Sequence, residues 1–452
     1  MREVTLQEVL DARERRAEAQ RQLLAQHARP LISFTMNIPG PVKNSPIICR
    51  AFDEGLRMLD SALGEAGIVC VSRQVSRAET GNEFLCAVKT SAAEVKEICT
   101  RIEEASPMGR LFDMDVIGLD GKKLSRNEER PCLACGAAGR GCASRRLHSL
   151  EELTAAVEKL LREGLLAADA DRADDMVSRA LLDEVSTTPK PGLVDRNNNG
   201  SHRDMTAMSF QISVSSLRGF WRDCFLIGAR TAALPEQEAF AALRRPGLEA
   251  ERRMLAATRG VNTHKGAIFT LGTVCGALGR LWQPDVPCAD PSEIASCCAA
   301  LCSEAVEADF AALEKGGTAR TAGERLYLHS GLRGIRGEVA AGLPAVLETG
   351  LPILEGCLEE GMTRNDAGVI ALLYLIARGE DTNMIKRGGY ALAEEMSSLV
   401  RTELRKNVLP TTERVRQLDE LFIRRDLSPG GCADLLAVSY FLHDWKQAFK
   451  AE

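Results

Sequence analysis

Beyond residue 175 this chain offers no convincing strand, and that absence limits its fold more than any other feature of the sequence. Ala/Leu-rich segments at 176–185, 210–232, 268–281, 294–315, 367–378, 390–404 and 433–449 carry helical spacing and alternate with Gly/Pro punctuation. Aromatic residues are only 4% of the 452, which favours helix packing over sandwiches, whose strands draw on aromatic and β-branched side chains. No fixed period recurs, which argues against a solenoid. An all-α domain is the simplest reading of this region.

The earlier residues read differently. Residues 5–27 predict an exposed helix with Leu6, Val9, Leu10, Leu23 and Leu24 as its apolar stripe, stopped by Pro30. A strand at 31–38, a helix at 45–66, strands at 68–75 and 83–88 joined by a polar turn, a helix at 92–104 and a strand at 110–117 follow. The order β-α-β-β-α-β is that of a split-βαβ, ferredoxin-like or nucleotidyltransferase-like α+β sheet. The small, acidic, Ala-rich stretch after Gly164 reads as a break, giving domains at 1–165 and 176–452 with a linker at 166–175.

Basic and acidic residues balance up to Glu163, so the net charge of −6 lies wholly in the helical part. Neither part has the basic excess of a nucleic-acid binder. No apolar run approaches the roughly 18 residues of a membrane span, and the charged N-terminus lacks a signal-peptide core. Fifteen cysteines, an odd count without an export signal, argue for reduced thiols in a cytoplasmic protein. Cys297, Cys298 and Cys302 sit in Ala/Leu helix and read as small core residues.

Asp113 and Asp115 lie at i and i+2 of a strand, so both carboxylates share one face and can reach one cation. Mg²⁺ takes one or two carboxylates together with phosphate oxygens. The alternative is a solvated strand face. Arg110 precedes the pair, and Pro39-Gly40-Pro41-Val42-Lys43-Asn44-Ser45 leads from strand to helix, where free N–H groups and Lys43 suit phosphate. A stiff Pro-Gly turn is the plainer account of that segment. Cys132, Cys135, Cys142 and His148 have the ligand types of a zinc site. Their spacing is irregular and Arg130, Arg140, Arg145 and Arg146 crowd them, so free thiols in a basic tail are the simpler expectation. With Lys122, Lys123 and Arg126, that tail suits an acidic protein partner.

These residues, with Pro107-Met108-Gly109-Arg110-Leu111-Phe112-Asp113-Met114-Asp115-Val116, Leu124-Ser125-Arg126 and the Arg13-Glu14-x-Arg16 helix, resemble apo-citrate lyase phosphoribosyl-dephospho-CoA transferase over residues 1–165. The resemblance implies transfer of a phosphoribosyl-dephospho-CoA group to a serine of the citrate lyase acyl carrier protein, its γ subunit, with release of pyrophosphate. The charge balance and the short apolar runs lead us to expect no nucleic-acid or membrane partner.

Four polar clusters interrupt the helical part. They are Thr187–Asp195 running on to Asn199–Met205, then Gly260–Ala267, then Gly379–Asn383 with Arg387-Gly388-Gly389, and Leu427–Asp434. Each pairs Gly with charged or polar residues at a helix end. Gly, Pro and Asp are ordinary helix punctuation, but four such clusters point to a shared nucleotide-phosphate site. Neither a P-loop nor a Rossmann fingerprint is present. Candidate phosphate or substrate ligands are Lys190, Arg203, Asn262, Thr263, Lys265, Asn383 and Arg387.

With Thr318 to Leu326 and Gly334-x-Arg336-Gly337-Glu338, these clusters resemble triphosphoribosyl-dephospho-CoA synthase over about residues 176–446. Cys432 stands where a small residue, often Ser, is expected. The resemblance implies ATP and 3′-dephospho-CoA as substrates, the 2′-hydroxyl of the second displacing adenine from the ribose of the first. That displacement develops oxocarbenium character, for which Asp204, Glu251 and Asp381 are candidate carboxylates and His202 and His264 candidate proton carriers. Two other readings use the same residues: an ADP-ribosyl-type nucleotide hydrolase in the helical part, and a zinc-bearing adaptor that binds an acyl carrier.

Overall fold

The computed structural model describes residues 2–126, 130–137, 142, 145, 147–319, 321–406 and 409–450. They divide into two compact units. The first runs to Asp169 and takes in Pro284–Val286; the second starts at Ala170.

The first unit holds α1 (Leu6–His27), β1 (Leu31–Met36), α2 (Pro46–Glu65), β2 (Cys70–Ala78), β3 (Gly81–Val88), α3 (Ala92–Glu104) and β4 (Phe112–Ile117). The helices start where side chains supply caps: Thr5 and Glu8 form a capping box, Ser45 caps α2 ahead of Pro46, and Ser91 caps α3. The strands form one antiparallel sheet in the order β2-β3-β1-β4.

Strand alternation gives this sheet two different faces. Ile32, Phe34, Phe84, Cys86, Phe112, Met114 and Val116 form the apolar one, where Phe34 stacks on Phe52 of α2 with ring centres 4.8 Å apart. The other face is apolar at one end only, where Leu31, Leu85, Ala87 and Ile117 pack against Leu23 of α1. Towards the opposite end it turns polar: Gln20 donates to Ser33 and Arg16 pairs with Glu83. The expected α1 stripe is therefore short, with Leu6 and Leu10 exposed.

The residues read as a linker, 166–175, are the middle of one helix, Leu150–Ser186. Their carboxylates are partnered, those of Asp169 and Asp174 buried and those of Asp171 and Asp175 at the surface. Asp169 takes Arg50 at 2.8 Å, Asp171 takes Arg222, Asp175 takes Arg218, and Asp174 accepts the N–H of Gly219 at 2.8 Å. That last bond also explains a second difference. The segment 210–232, expected as one helix, is two, Ala207–Leu217 and Phe220–Arg230, broken at Gly219 with φ +84°.

Among the described residues the second unit contains helices and connecting loops. Its further helices are Glu236–Ala257, Lys265–Arg280, Pro291–Glu314, Ala322–Ser330, Gly334–Ala340, Leu351–Glu359, Arg364–Arg378, Thr382–Lys406, Thr412–Arg424 and Gly430–Ala448. The Thr382–Lys406 helix begins ahead of the expected 390 and kinks at Gly389. Cys298 and Cys302 are core residues and Cys297 is half-buried. No described helix is long and apolar enough to cross a membrane.

Candidate active sites

The polar clusters of the helical unit converge on one cavity of about 1370 Å³. Small-ligand sites are usually about 300–1000 Å³, so this one has room for two nucleotides. Asn262, Thr263, His264 and Lys265 reach it from the start of the Lys265–Arg280 helix. Asn383 and Arg387 come from the first turns of Thr382–Lys406, and Gly430, Gly431 and Asp434 from the start of Gly430–Ala448. Three helix N-termini at one cavity concentrate N–H groups and positive dipole ends, which favour anions. Thr321, Glu324, Arg333 and Arg336 complete one wall. Phe210, Phe220, Phe240, Phe269 and Phe310 supply apolar surface suited to a base.

Several expected ligands hold the walls instead of facing the cavity. Lys190 is 1% exposed, and its Nζ folds back on Glu184, 2.5 Å from the carboxylate and 2.7 Å from the carbonyl. Its charge is committed there, which removes it from phosphate binding. Arg203 is exposed and outside the cavity lining. Asp381 lies behind the wall as a double cap. One oxygen accepts the N–H groups of Asn383 and Met384, and the other accepts that of Cys432 at 2.9 Å. The Cys432 thiol is buried and pushed far above its usual range by burial, an inert group. We expect Asp381→Ala to lower unfolding free energy by about 2–4 kcal/mol, since two helix starts lose their acceptor at once; urea midpoints measure it.

His202 has both ring nitrogens occupied. Arg387 donates to Nδ1 at 3.2 Å, so Nε2 carries the proton and donates to Ser428 Oγ at 2.8 Å. Burial, then the Arg387 charge, holds its imidazole below the usual range. It positions Arg387, which also donates to the Ser201 carbonyl and to Asp426.

His264 differs. Nδ1 bonds Ser213 Oγ at 2.6 Å, while Nε2 is buried without a partner, as is Thr263 Oγ1. Two orphaned polar atoms on one cavity wall mark where a polar ligand belongs. Burial, then Lys190, lowers the His264 imidazole to about 3, so it is neutral at physiological pH. An unfolded histidine protonates near 6.5. The fold therefore loses stability as pH falls below 6.5 towards 3, by about 1.4 kcal/mol per pH unit. We expect wild type to lose about 2 kcal/mol more than His264→Gln between pH 6.5 and 5, read from urea midpoints.

The sequence reading did not single out Glu184, Asp434, Arg259 or Lys386, all of which line the cavity. Asp434 accepts the backbone N–H of Ala267 in the first turn of Lys265–Arg280. Burial, then the charges of Glu184 and Asp381, pushes its carboxyl well above the usual range. Gly266 is required beside it, since a Cβ there would stand 1.9 Å from Asp434 Oδ2. Arg259 and Lys386 make no ion pair among the described residues, which leaves their charges for a ligand; Lys265 pairs with Glu251 at 2.8 Å. Asp204 faces the cavity with no hydrogen-bond partner among the described residues.

A second polar site lies in the first unit. Asp113 pairs with Thr35 and Asp115 with Ser33 in the β1–β4 register, so both carboxylates stand on the half-polar sheet face. Desolvation, then the Asp115 charge, raises the Asp113 carboxyl. The strand leads at that end into the loop with Lys43, whose Nζ donates to the Ile38 carbonyl at 2.5 Å. Burial, then the Arg13 charge, lowers the Lys43 ammonium, so two cations meet beside this loop. Arg110 is turned elsewhere, donating to the carbonyls of Pro131 and Cys132. Much of the basic tail is internally paired: Arg126 and Arg130 with Glu103, and Lys123 with Asp115. Arg140 and Arg146 lie outside the described residues. The ligand atoms of Cys132, Cys135, Cys142 and His148 all lie within 4.8 Å of one another.

Comparison with known proteins matches both regions. Residues 170–452 match the family model described as CitG, ATP:dephospho-CoA triphosphoribosyl transferase. Residues 4–164 match that of CitX, apo-citrate lyase phosphoribosyl-dephospho-CoA transferase. The chain is 34% identical to Protein CitXG of Haemophilus influenzae over 451 residues, covering 97% of this chain and 96% of that one. It is 33% identical to Protein CitXG of Leuconostoc mesenteroides subsp. cremoris, covering 97% of each. A 2-(5''-triphosphoribosyl)-3'-dephosphocoenzyme-A synthase of Pectobacterium atrosepticum is 39% identical over 274 residues, 60% of this chain and 88% of the relative.

Proposed function

The chain belongs to the family of CitXG proteins, and from that premise we propose how its two units carry the two activities. It is a bifunctional transferase. The helical unit makes 2′-(5″-triphosphoribosyl)-3′-dephospho-CoA from ATP and 3′-dephospho-CoA, releasing adenine. The α+β unit transfers the phosphoribosyl-dephospho-CoA group to the acyl carrier protein of citrate lyase, releasing pyrophosphate. We read the acceptor as a serine of the γ subunit. The strand order supports a ferredoxin-like, nucleotidyltransferase-like sheet for this unit.

The observation that carries the synthase mechanism is the juxtaposition, in one two-nucleotide cavity, of two cations without an ion pair among the described residues, Arg259 and Lys386, with the Asp434 carboxyl, whose burial favours its protonated form. Arg259, Lys386 and Lys265, with the helix N-termini, would hold phosphates. The C1–N bond to adenine breaks as the 2′-hydroxyl oxygen bonds to the same carbon, and one proton passes from hydroxyl to adenine. Asp434 suits that transfer: one oxygen gives its proton to the departing base and the carboxylate takes the hydroxyl's. Asp204 and Glu251 stand where a negative charge steadies the oxocarbenium ribose. Neutral His264 and Thr263 supply hydrogen bonds that orient substrate.

In the transferase unit Asp113 and Asp115 form the donor set, two carboxylate oxygens on one strand face, that fits Mg²⁺. Bound there, the ion would neutralise charge on the departing pyrophosphate. Lys43 and Arg13 steer the phosphates into place.

The test is one incubation of the chain with ATP, 3′-dephospho-CoA, Mg²⁺ and apo-carrier. Adenine and pyrophosphate should form in step with a carrier mass gain of one phosphoribosyl-dephospho-CoA group. Absence of adenine sinks the synthase assignment, and adenine without carrier mass sinks the transferase one. Adenine released without 3′-dephospho-CoA would point to the hydrolase instead. Whole-chain likeness to CitXG proteins favours neither that hydrolase nor a non-catalytic adaptor.

A further inference from the structure

The chemistry proposed above gives no role to Cys132, Cys135, Cys142 and His148, yet the chain gathers them. Cys132 and Cys142 are buried and Cys135 exposed. Cys135 Sγ and Cys142 Sγ are 3.6 Å apart, close to the sulfur–sulfur edge of about 3.8 Å in a tetrahedron with zinc–sulfur bonds of about 2.3 Å. The Cys132–Cys135 turn closes on Gly136, at φ +73°, whose N–H donates to the Cys132 carbonyl at 3.0 Å.

The histidine is the independent sign. His148 Nε2 is buried without a hydrogen-bond partner, while Nδ1 faces Glu152 Oε2 at 3.8 Å. A metal-bound imidazole presents that combination, one nitrogen for the ion and the other towards a carboxylate that fixes its tautomer. Free thiols in a basic tail explain neither the orphaned nitrogen nor the convergence.

We propose that Cys132, Cys135, Cys142 and His148 bind one structural Zn²⁺ through three thiolates and one imidazole, with no coordination position left open. Two bonds tie this site to the transferase strand. Arg110 donates to the Cys132 carbonyl at 2.7 Å, and Arg130 donates to the Phe112 carbonyl at 2.5 Å, one residue before Asp113. The ion therefore anchors the segment that flanks Asp113, without touching substrate.

The full chain, purified without chelator, should carry one zinc by elemental analysis. Exchange for Co²⁺ should give thiolate-to-cobalt charge-transfer absorption with the strong visible bands of four-coordinate cobalt. Cys132→Ser with Cys135→Ser should bring zinc below about a tenth of an equivalent and lower carrier modification about tenfold. Adenine release by the helical unit should stay within about twofold of wild type, which also shows that this variant chain has folded there. The proposal is overturned if the wild-type chain takes up no zinc when reconstituted, if cobalt shows no thiolate charge-transfer band, or if the double variant keeps its zinc.

Discussion

Adenine release should fall about 10²–10⁴-fold in Asp434→Asn, the range a lost general acid–base group gives, with the KM for ATP nearly unchanged. The substitution keeps the shape of the side chain and its acceptor for the Ala267 N–H, so it removes mainly the oxygen that gives and takes a proton. Gly266→Ala should reach a comparable loss by another route. Its Cβ would stand 1.9 Å from Asp434 Oδ2, so the carboxyl has to leave its position. The backbone there is already helical, so alanine costs nothing in local conformation. Arg259→Ala and Lys386→Ala should instead raise the KM for ATP, because they remove charges aimed at phosphate in ground and transition state alike. Single-turnover measurement of adenine separates the two classes. A loss under about threefold in Asp434→Asn, in a chain that melts like wild type, would move proton transfer to another group. Carrier modification from ready-made donor should be unaffected in all four variants, since it belongs to the other unit.

The clusters were legible because Gly, Asn, His and Lys in short runs at helix ends do little for a core. Their convergence on one cavity was legible only as a likelihood of shared purpose. Roles within a cluster were not legible. Asp381 and Asp434 look alike in sequence, each near glycines at a helix start. What separates them is that Asp381 receives three N–H groups, whereas Asp434 crowds Gly266 and shares its surroundings with Glu184. Lys190 misled for a similar reason, its stem being long enough to fold back on Glu184. Arg259 and Lys386 carried no pattern at all; only their lack of a carboxylate partner among the described residues, a fact of three dimensions, marks them. The helical state of 166–175 was hidden for the same reason. Asp171 and Asp175 find Arg222 and Arg218 more than forty positions away, and composition cannot show that such charges are paired. The sheet was easier, because alternation in β4 assigns Phe112 and Met114 to the core and Asp113 and Asp115 to the other face without any distant partner.

That alternation supports the second large effect. Asp113→Asn with Asp115→Asn should lower carrier modification by about 10³-fold, the size expected when the charges that hold a catalytic cation are lost. The β1–β4 register makes the change local. Asp113 and Asp115 face Thr35 and Ser33, while Phe112, Met114 and Val116 keep the core on the opposite side. Neutralising two neighbouring carboxylates also relieves the desolvation and the mutual repulsion that now raise the Asp113 carboxyl, so the variant should be no less stable than wild type. Asp115→Asn alone should cost less, because its partner Lys123 then becomes available to phosphate at the same face. Lys43→Ala should raise the KM for the donor more than it lowers kcat, the behaviour of a group that binds phosphate throughout the reaction. Intact carrier mass after incubation with ready-made donor gives the rates. Adenine release, measured beside it, should match wild type in every one of these variants. A double variant that still modifies carrier within tenfold of wild type would mean that the sheet face is not where pyrophosphate departs.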